Sequence, residues 1–172
     1  SHAPRRQQAF KIMIDSFLPE DITQIAVDSI FMMPQLGVLA SIHEKAAIEV
    51  FNKDCLIRLG TCVAPIGEGK HGNDMMEYLI EVDGHNIIGQ LKYGELKLIK
   101  VGYMPYKVEF NTSDSFTING SNNYSGQVYG GEVGIILDGR GRRFNFNYNT
   151  KNRINLINDW RVAINEYPNL EI

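Results

Sequence analysis

Turn dipeptides set between short runs of alternating apolar residues dominate the stretch from Met75 to Tyr148, and they restrict what it can fold into. Met76, Tyr78, Ile80 and Val82 alternate with Glu77, Leu79, Glu81 and Asp83. A period of two puts the first set on one face of a strand. Asp83-Gly84 supplies two residues that accept positive φ, as a tight primed hairpin turn requires, and Ile87 to Lys92 returns. Glu95 to Val101 reads as a further strand. Tyr106, Val108 and Phe110 alternate with Lys107 and Glu109, Phe116 and Ile118 precede the turn Asn119-Gly120, and Val128 marks a short strand. Val133, Ile135 and Leu137 fall on one side of a last strand. Asp138-Gly139 then predicts a hairpin whose returning arm carries Phe144, Phe146 and Tyr148. No helical stretch separates these strands, so parallel crossover units are not expected. The pattern predicts an α+β fold, mainly an antiparallel β sandwich or barrel over about 75–148, with N-terminal helices and a C-terminal helix.

The front of the chain follows a different period. Phe10, Ile14, Phe17 and Leu18 recur at helical spacing, and Pro19 ends the pattern. Ile25 and Val27 suggest a short strand between Asp21 and Ser29. The apolar run Ile30 to Ala40 is interrupted by Pro34 and Gly37, which argues against one continuous helix. It reads either as a buried connector or as a docking surface through Phe31, Met32, Met33 and Leu36. The partner of such a surface is a missing upstream domain of the same protein or a second copy of the chain. Ser41 with Glu44 predicts a capping box and a helix to about Asn52. Residues 3–66 are therefore expected as a helical and connector segment, and 67–72 as a polar linker. Residues 73–167 are expected as a small antiparallel β domain closed by a helix from Lys151 to Glu166. Ile154, Ile157, Trp160 or Arg161, and Ile164 give that helix its face.

Little in the sequence points to chemistry. The formal net charge of -3 gives no basic field for nucleic acid or an anionic membrane. No apolar run approaches the ~18 residues of a membrane span. No secretory leader is evident, and a cytoplasmic location is expected. Gly67-Glu-Gly-Lys-His-Gly72 lacks both the first glycine and the Ser or Thr of a phosphate-binding loop. Cys55 and Cys62 have no metal-knuckle spacing and are expected reduced, and no two histidines lie four residues apart. No catalytic residue, metal site or cofactor is assigned. Glu77, Glu81 and Asp83 read as the solvated face of a strand. One cluster stands out: Arg140, Arg142 and Arg143 beside Gly139 and Gly141 are a candidate anion-binding hairpin, because glycines admit close backbone approach and guanidinium groups suit carboxylate or phosphate.

Four stretches carry a family resemblance: Phe31-Met-Met-Pro-Gln-Leu-Gly-Val-Leu39, Glu44-Lys-Ala-Ala-Ile-Glu-Val-Phe51, Asp54-Cys-Leu-Ile-Arg-Leu-Gly-Thr-Cys-Val-Ala-Pro65 and Gly131-Glu-Val-Gly-Ile-Ile-Leu-Asp-Gly-Arg-Gly-Arg142. They resemble the C-terminal part of glutamate-mutase-L-like proteins, the methylaspartate mutase accessory proteins, over residues 30 to 145 in patches. The hallmark of that family is an ATPase-like domain, whose Asp-x-Gly-x-Thr phosphate motifs do not occur in this chain. No active-site residue therefore carries over. The resemblance implies a non-catalytic accessory or interaction module whose nucleotide-binding half lies elsewhere. The alternative is a small-molecule or anion-binding domain, or an enzyme, using the Arg140–Arg143 hairpin.

Overall fold

A computed structural model of the chain describes residues 5–142 and 150–167. Helix α1 (Arg6–Phe17) ends at Leu18, whose left-handed φ of 45° lets its N–H return to the carbonyl of Ile14. Strand β1 (Asp21–Asp28) leads into α2 (Met33–Val50) and a π-helical turn, Phe51–Cys55. Then come β2 (Leu56–Ala64), β3 (Ile66–Gly67), β4 (Asp74–Val82), β5 (His85–Lys92), β6 (Leu96–Ile99), β7 (Pro105–Thr112), β8 (Phe116–Thr117), β9 (Asn123–Tyr129), β10 (Gly134–Asp138) and α3 (Thr150–Ala163).

The strands form two four-stranded sheets, in the orders β1-β2-β10-β6 and β5-β4-β7-β9, with β3 and β8 paired to each other. The fold is α+β and rich in antiparallel pairs, and it is not a closed barrel. One large apolar cluster joins the sheets: Val63, Ile135 and Leu137 of the first meet Met76, Ile80, Leu91, Val108 and Phe110 of the second. The opposite face of the first sheet, through Leu59, Cys62, Val133 and Ile136, receives Phe10 and Ile14 of α1 and Trp160 and Ile164 near the end of α3. The order of layers is helices, sheet, sheet. The first sheet is covered on both sides, so the inner strand β10 buries all five residues, with Ile135, Ile136 and Leu137 supplying apolar contacts to both faces.

The hairpins turn where their dipeptides predict. Asp83 and Gly84 have φ of 50° and 77°, and Asn119 and Gly120 have 51° and 77°. Strand β7 shows strict alternation, with Tyr106, Val108 and Phe110 buried between exposed neighbours.

Several expectations are overturned. Asp138-Gly139 is not a hairpin turn: β10 pairs with β2 on one edge, in parallel, and with β6 on the other. Both edges are filled, so a returning arm has no place beside it; Phe144, Phe146 and Tyr148 lie outside the described residues. Val133 does not share a face with Ile135 and Leu137, because Gly134, at φ 124°, intervenes and turns Val133 to the helical side. A continuous helix does form across Pro34 and Gly37. Pro34 stands in the first turn of α2, where no N–H is needed, and Gly37 costs only about 1 kcal/mol. Ser41 is not an N-cap, since its hydroxyl donates to the carbonyl of Val38 within that helix. The break comes at His43 (φ -149°, ψ 78°), whose Nδ1 accepts the N–H of Ala46. In α3, Ile154 and Ile157 are exposed, leaving Trp160 and Ile164 to hold the sheet. Finally, β2, from the expected front segment, bonds directly to β10 of the expected β domain, so strands from before and after the 67–72 loop share one sheet.

Candidate functional site

Two places answer to the residues singled out above. The first is the end of β10. Asp138, fully buried, accepts from Arg140 Nε at 2.9 Å and Nη2 at 2.8 Å, from the Arg140 backbone N–H at 3.1 Å, and from Arg142 Nη1 at 3.2 Å. Arg140 also donates from Nη1 to Asp15 of α1 at 2.6 Å, and its guanidinium lies 5.2 Å from the ring centre of Trp160 in α3. Asp15 is shared with Lys11 one helical turn earlier. Burial pushes the carboxyl pKa of Asp138 up, but the hydrogen bonds and charge of Arg140, with the charge of Arg142, outweigh it and hold Asp138 below the ordinary carboxylate value. Burial disfavours the Arg140 cation, yet Asp138 and Asp15 more than compensate and keep it protonated. This network ties α1, β10 and α3 together. Arg140 and Arg142 are both buried or nearly so and both face carboxylates; Arg143 lies outside the described residues. Asp15 escapes sequence reasoning because 125 residues separate it from Arg140, whereas Asp138 lies two residues away and reads in the sequence as part of a turn.

Arg142 Nη2 also lies 3.9 Å from the sulfur of Cys62. Burial is the main cause that pushes the Cys62 thiol up to about 12, which disfavours the reactive thiolate. Both cysteines are free thiols.

The second place is α2. Of its eighteen residues only Leu36 and Ala47 are buried. Phe31 (64% exposed) and Met33 (59%) lie at its entrance, Met32 is half-buried, and Val38 and Ile42 further along reach 68% and 82%. Ile30, Leu39, Ile48 and Val50 add to the exposed set. At roughly 150–200 Å² for a whole side chain, these residues together leave on the order of 800 Å² of apolar surface in water. The helix is nonetheless well founded at its start. Asp28 Oδ2 accepts the N–H of Met33 at 3.0 Å and Oδ1 that of Ile30 at 3.2 Å. Desolvation raises the Asp28 pKa, but the N–H groups of Met33, Ile30, Met32 and Phe31 outweigh it and lower the value. Of the four residues expected at an interface, Phe31 and Met33 are exposed, Met32 is intermediate and Leu36 is buried, serving as an anchor. The sequence places the surface at Phe31, Met32, Met33 and Leu36 and starts a new helix at Ser41; Val38 and Ile42, four residues apart, extend the surface along the same helix α2.

Among the described residues no cluster of His, Cys, Asp or Glu is arranged to hold a metal ion, and no helix is long and apolar enough to cross a membrane. Comparison with protein-family models, with curated proteins and with solved structures found no match to this chain.

Proposed function

We propose that this chain is a non-catalytic interaction module, the C-terminal accessory part of a larger glutamate-mutase-L-like protein, and that α2 is the surface through which it docks. The exposure of α2 carries the reading. An isolated apolar helix in water forgoes ~25 cal/mol for each Å² that a partner would cover. The partner is the upstream domain of the same protein or a second copy of this chain. The arginine cluster gives the anion-binding alternative little support, because the two described arginines are already met by Asp138 and Asp15.

The test uses light scattering across a concentration series, and calorimetric titration with the separately expressed upstream domain. Both are run on the native chain and on Ile42→Glu. The native chain self-associates or binds, and the variant loses at least tenfold in affinity while unfolding at the same denaturant concentration. A native chain that remains monomeric and ignores the upstream domain refutes the reading.

A further inference from the structure

A small notch of about 70 Å³ lies on the first sheet. It is lined by Ile25, Leu56, Gly60, Tyr103, Tyr129 and Gly130. Arg58 stands at one side. The strand geometry there is irregular: Ile25 pairs with Gly60 and Ala26 with Arg58, so Leu59 is an extra residue in β2. Such bulges re-aim side chains and recur beside functional sites. The bulge is held from behind, where Glu132 and Val133 donate their N–H groups to the carbonyls of Arg58 and Leu59.

Arg58 is oriented with care and lacks a counter-charge. Its Nη1 donates to the backbone carbonyl of Asn52 at 3.3 Å and its Nη2 to the Asn52 side-chain oxygen at 3.2 Å. Its guanidinium lies 5.0 Å from the Tyr103 ring centre, and Tyr103 stacks on Tyr129 at 5.6 Å. Among the described residues no carboxylate pairs with it, whereas Arg6, Arg140, Arg142 and Arg161 each have one. An aromatic face and a neutral amide fix the plane of the fork without answering its charge. Among the described residues its Nε donates to no acceptor.

We propose that this notch binds a carboxylate on a short aliphatic stem, presented by a protein partner. The guanidinium selects the charge, since planar bidentate pairing is what arginine does best. The apolar walls and half-exposed Tyr103 cover the stem. Volume decides the scale: pockets that enclose a free metabolite run to about 300–1,000 Å³, so a notch of about 70 Å³ takes a single side chain or chain end. Tyrosine and arginine are also the residues enriched where interfaces concentrate their affinity. The inference stands on Arg58 and its surroundings and does not need α2 to be a docking helix.

The experiment is an amide and arginine Nε NMR titration of the whole chain. The probes are acetyl-Ala-Glu-Ala-amide, with a side-chain carboxylate, acetyl-Ala-Ala-Ala, with a terminal one, and acetyl-Ala-Gln-Ala-amide as the neutral control. A saturable shift at Gly60, Tyr103, Gly130 and Arg58 Nε is expected from at least one acid, with Kd in the millimolar range. The stronger acid identifies which source of carboxylate the notch prefers. The control leaves the spectrum unchanged, and added salt weakens binding. Arg58→Gln abolishes the shifts with the rest of the spectrum retained. Arg58→Lys, which keeps the charge and loses the fork, weakens binding about tenfold. Ile42→Glu leaves the titration untouched, which separates this site from the α2 surface. The proposal falls if neither acid gives a saturable shift, if the glutamine peptide matches the acids, or if folded Arg58→Gln still binds.

Discussion

Replacing Asp138 by Asn removes one charge and almost no volume, so it isolates the electrostatic role of the network at the end of β10. In the native protein Arg140 is enclosed, its side chain 1% exposed, and Asp138 is its fully buried partner at 2.8 and 2.9 Å. The amide of Asn offers one acceptor where the carboxylate offers two, and its NH₂ would face guanidinium donors. Arg140 keeps Asp15 at 2.6 Å, but that carboxylate is 32% exposed and already bonded to Lys11. Breaking a buried pair from one side costs ~3–5 kcal/mol, and the surviving Asp15 contact places Asp138→Asn near ~3. Urea unfolding followed by Trp160 fluorescence measures this directly, since the only tryptophan of the sequence stacks on Arg140. The triple change Asp138→Leu, Arg140→Met and Arg142→Met should cost less than the single one, because the only carboxylate that then loses a partner is Asp15, which keeps Lys11. pH supplies a second readout. The Asp138 pKa is lowered in the folded state, so its contribution is present above the unfolded value near 3.8 and is lost as pH falls through the folded value. Native protein therefore loses stability in acid through this group, and Asp138→Asn lacks that component. A loss below ~1 kcal/mol for Asp138→Asn, or a triple mutant worse than the single, would refute the assignment of Arg140 as a structural cation.

Two further tests address the backbone and the buried thiol. Gly60→Ala places a methyl 1.7 Å from the carbonyl oxygen of Gly134 at a φ of 144° and should cost at least ~2 kcal/mol. Gly37→Ala, in open space on α2, should gain ~0.5–1 kcal/mol; equal effects in chemical denaturation would contradict the packing of β2 on β10. Cys62 should resist thiol reagents at pH 8 until the protein unfolds. Because its folded pKa is raised to about 12, stability should also fall as pH climbs from about 9 towards 12; rapid modification of the native protein would refute its burial.

The elements that were legible in the sequence are those whose geometry depends on neighbours a few residues away. The 83–84 and 119–120 turns, the alternation in β7 and the apolar spacing of Phe10 and Ile14 report directly on φ, ψ and a single buried face. The hidden parts depend on distant partners. Nothing local distinguishes Asp138-Gly139 from a hairpin turn; it is excluded because β2 and β6 already occupy both edges of β10. The same crossing of the chain brings Asp15 to Arg140 and encloses a cluster that, read alone, looks like an exposed cationic tip. Conversely, the apolar character of α2 is plain in the sequence, but periodicity cannot say whether water or protein surrounds it. The notch at Arg58 combines β1, β2 and the loops that carry Tyr103 and Gly130, residues up to 106 apart in the chain. Local sequence determined the 83–84 and 119–120 turns, the faces of β7 and the apolar face of α1, because sterics and hydrophobic period act over a few residues. Tertiary structure alone decided which strands are neighbours, which charges are buried and which apolar face is left open, because each of those is settled by what the rest of the chain has already covered.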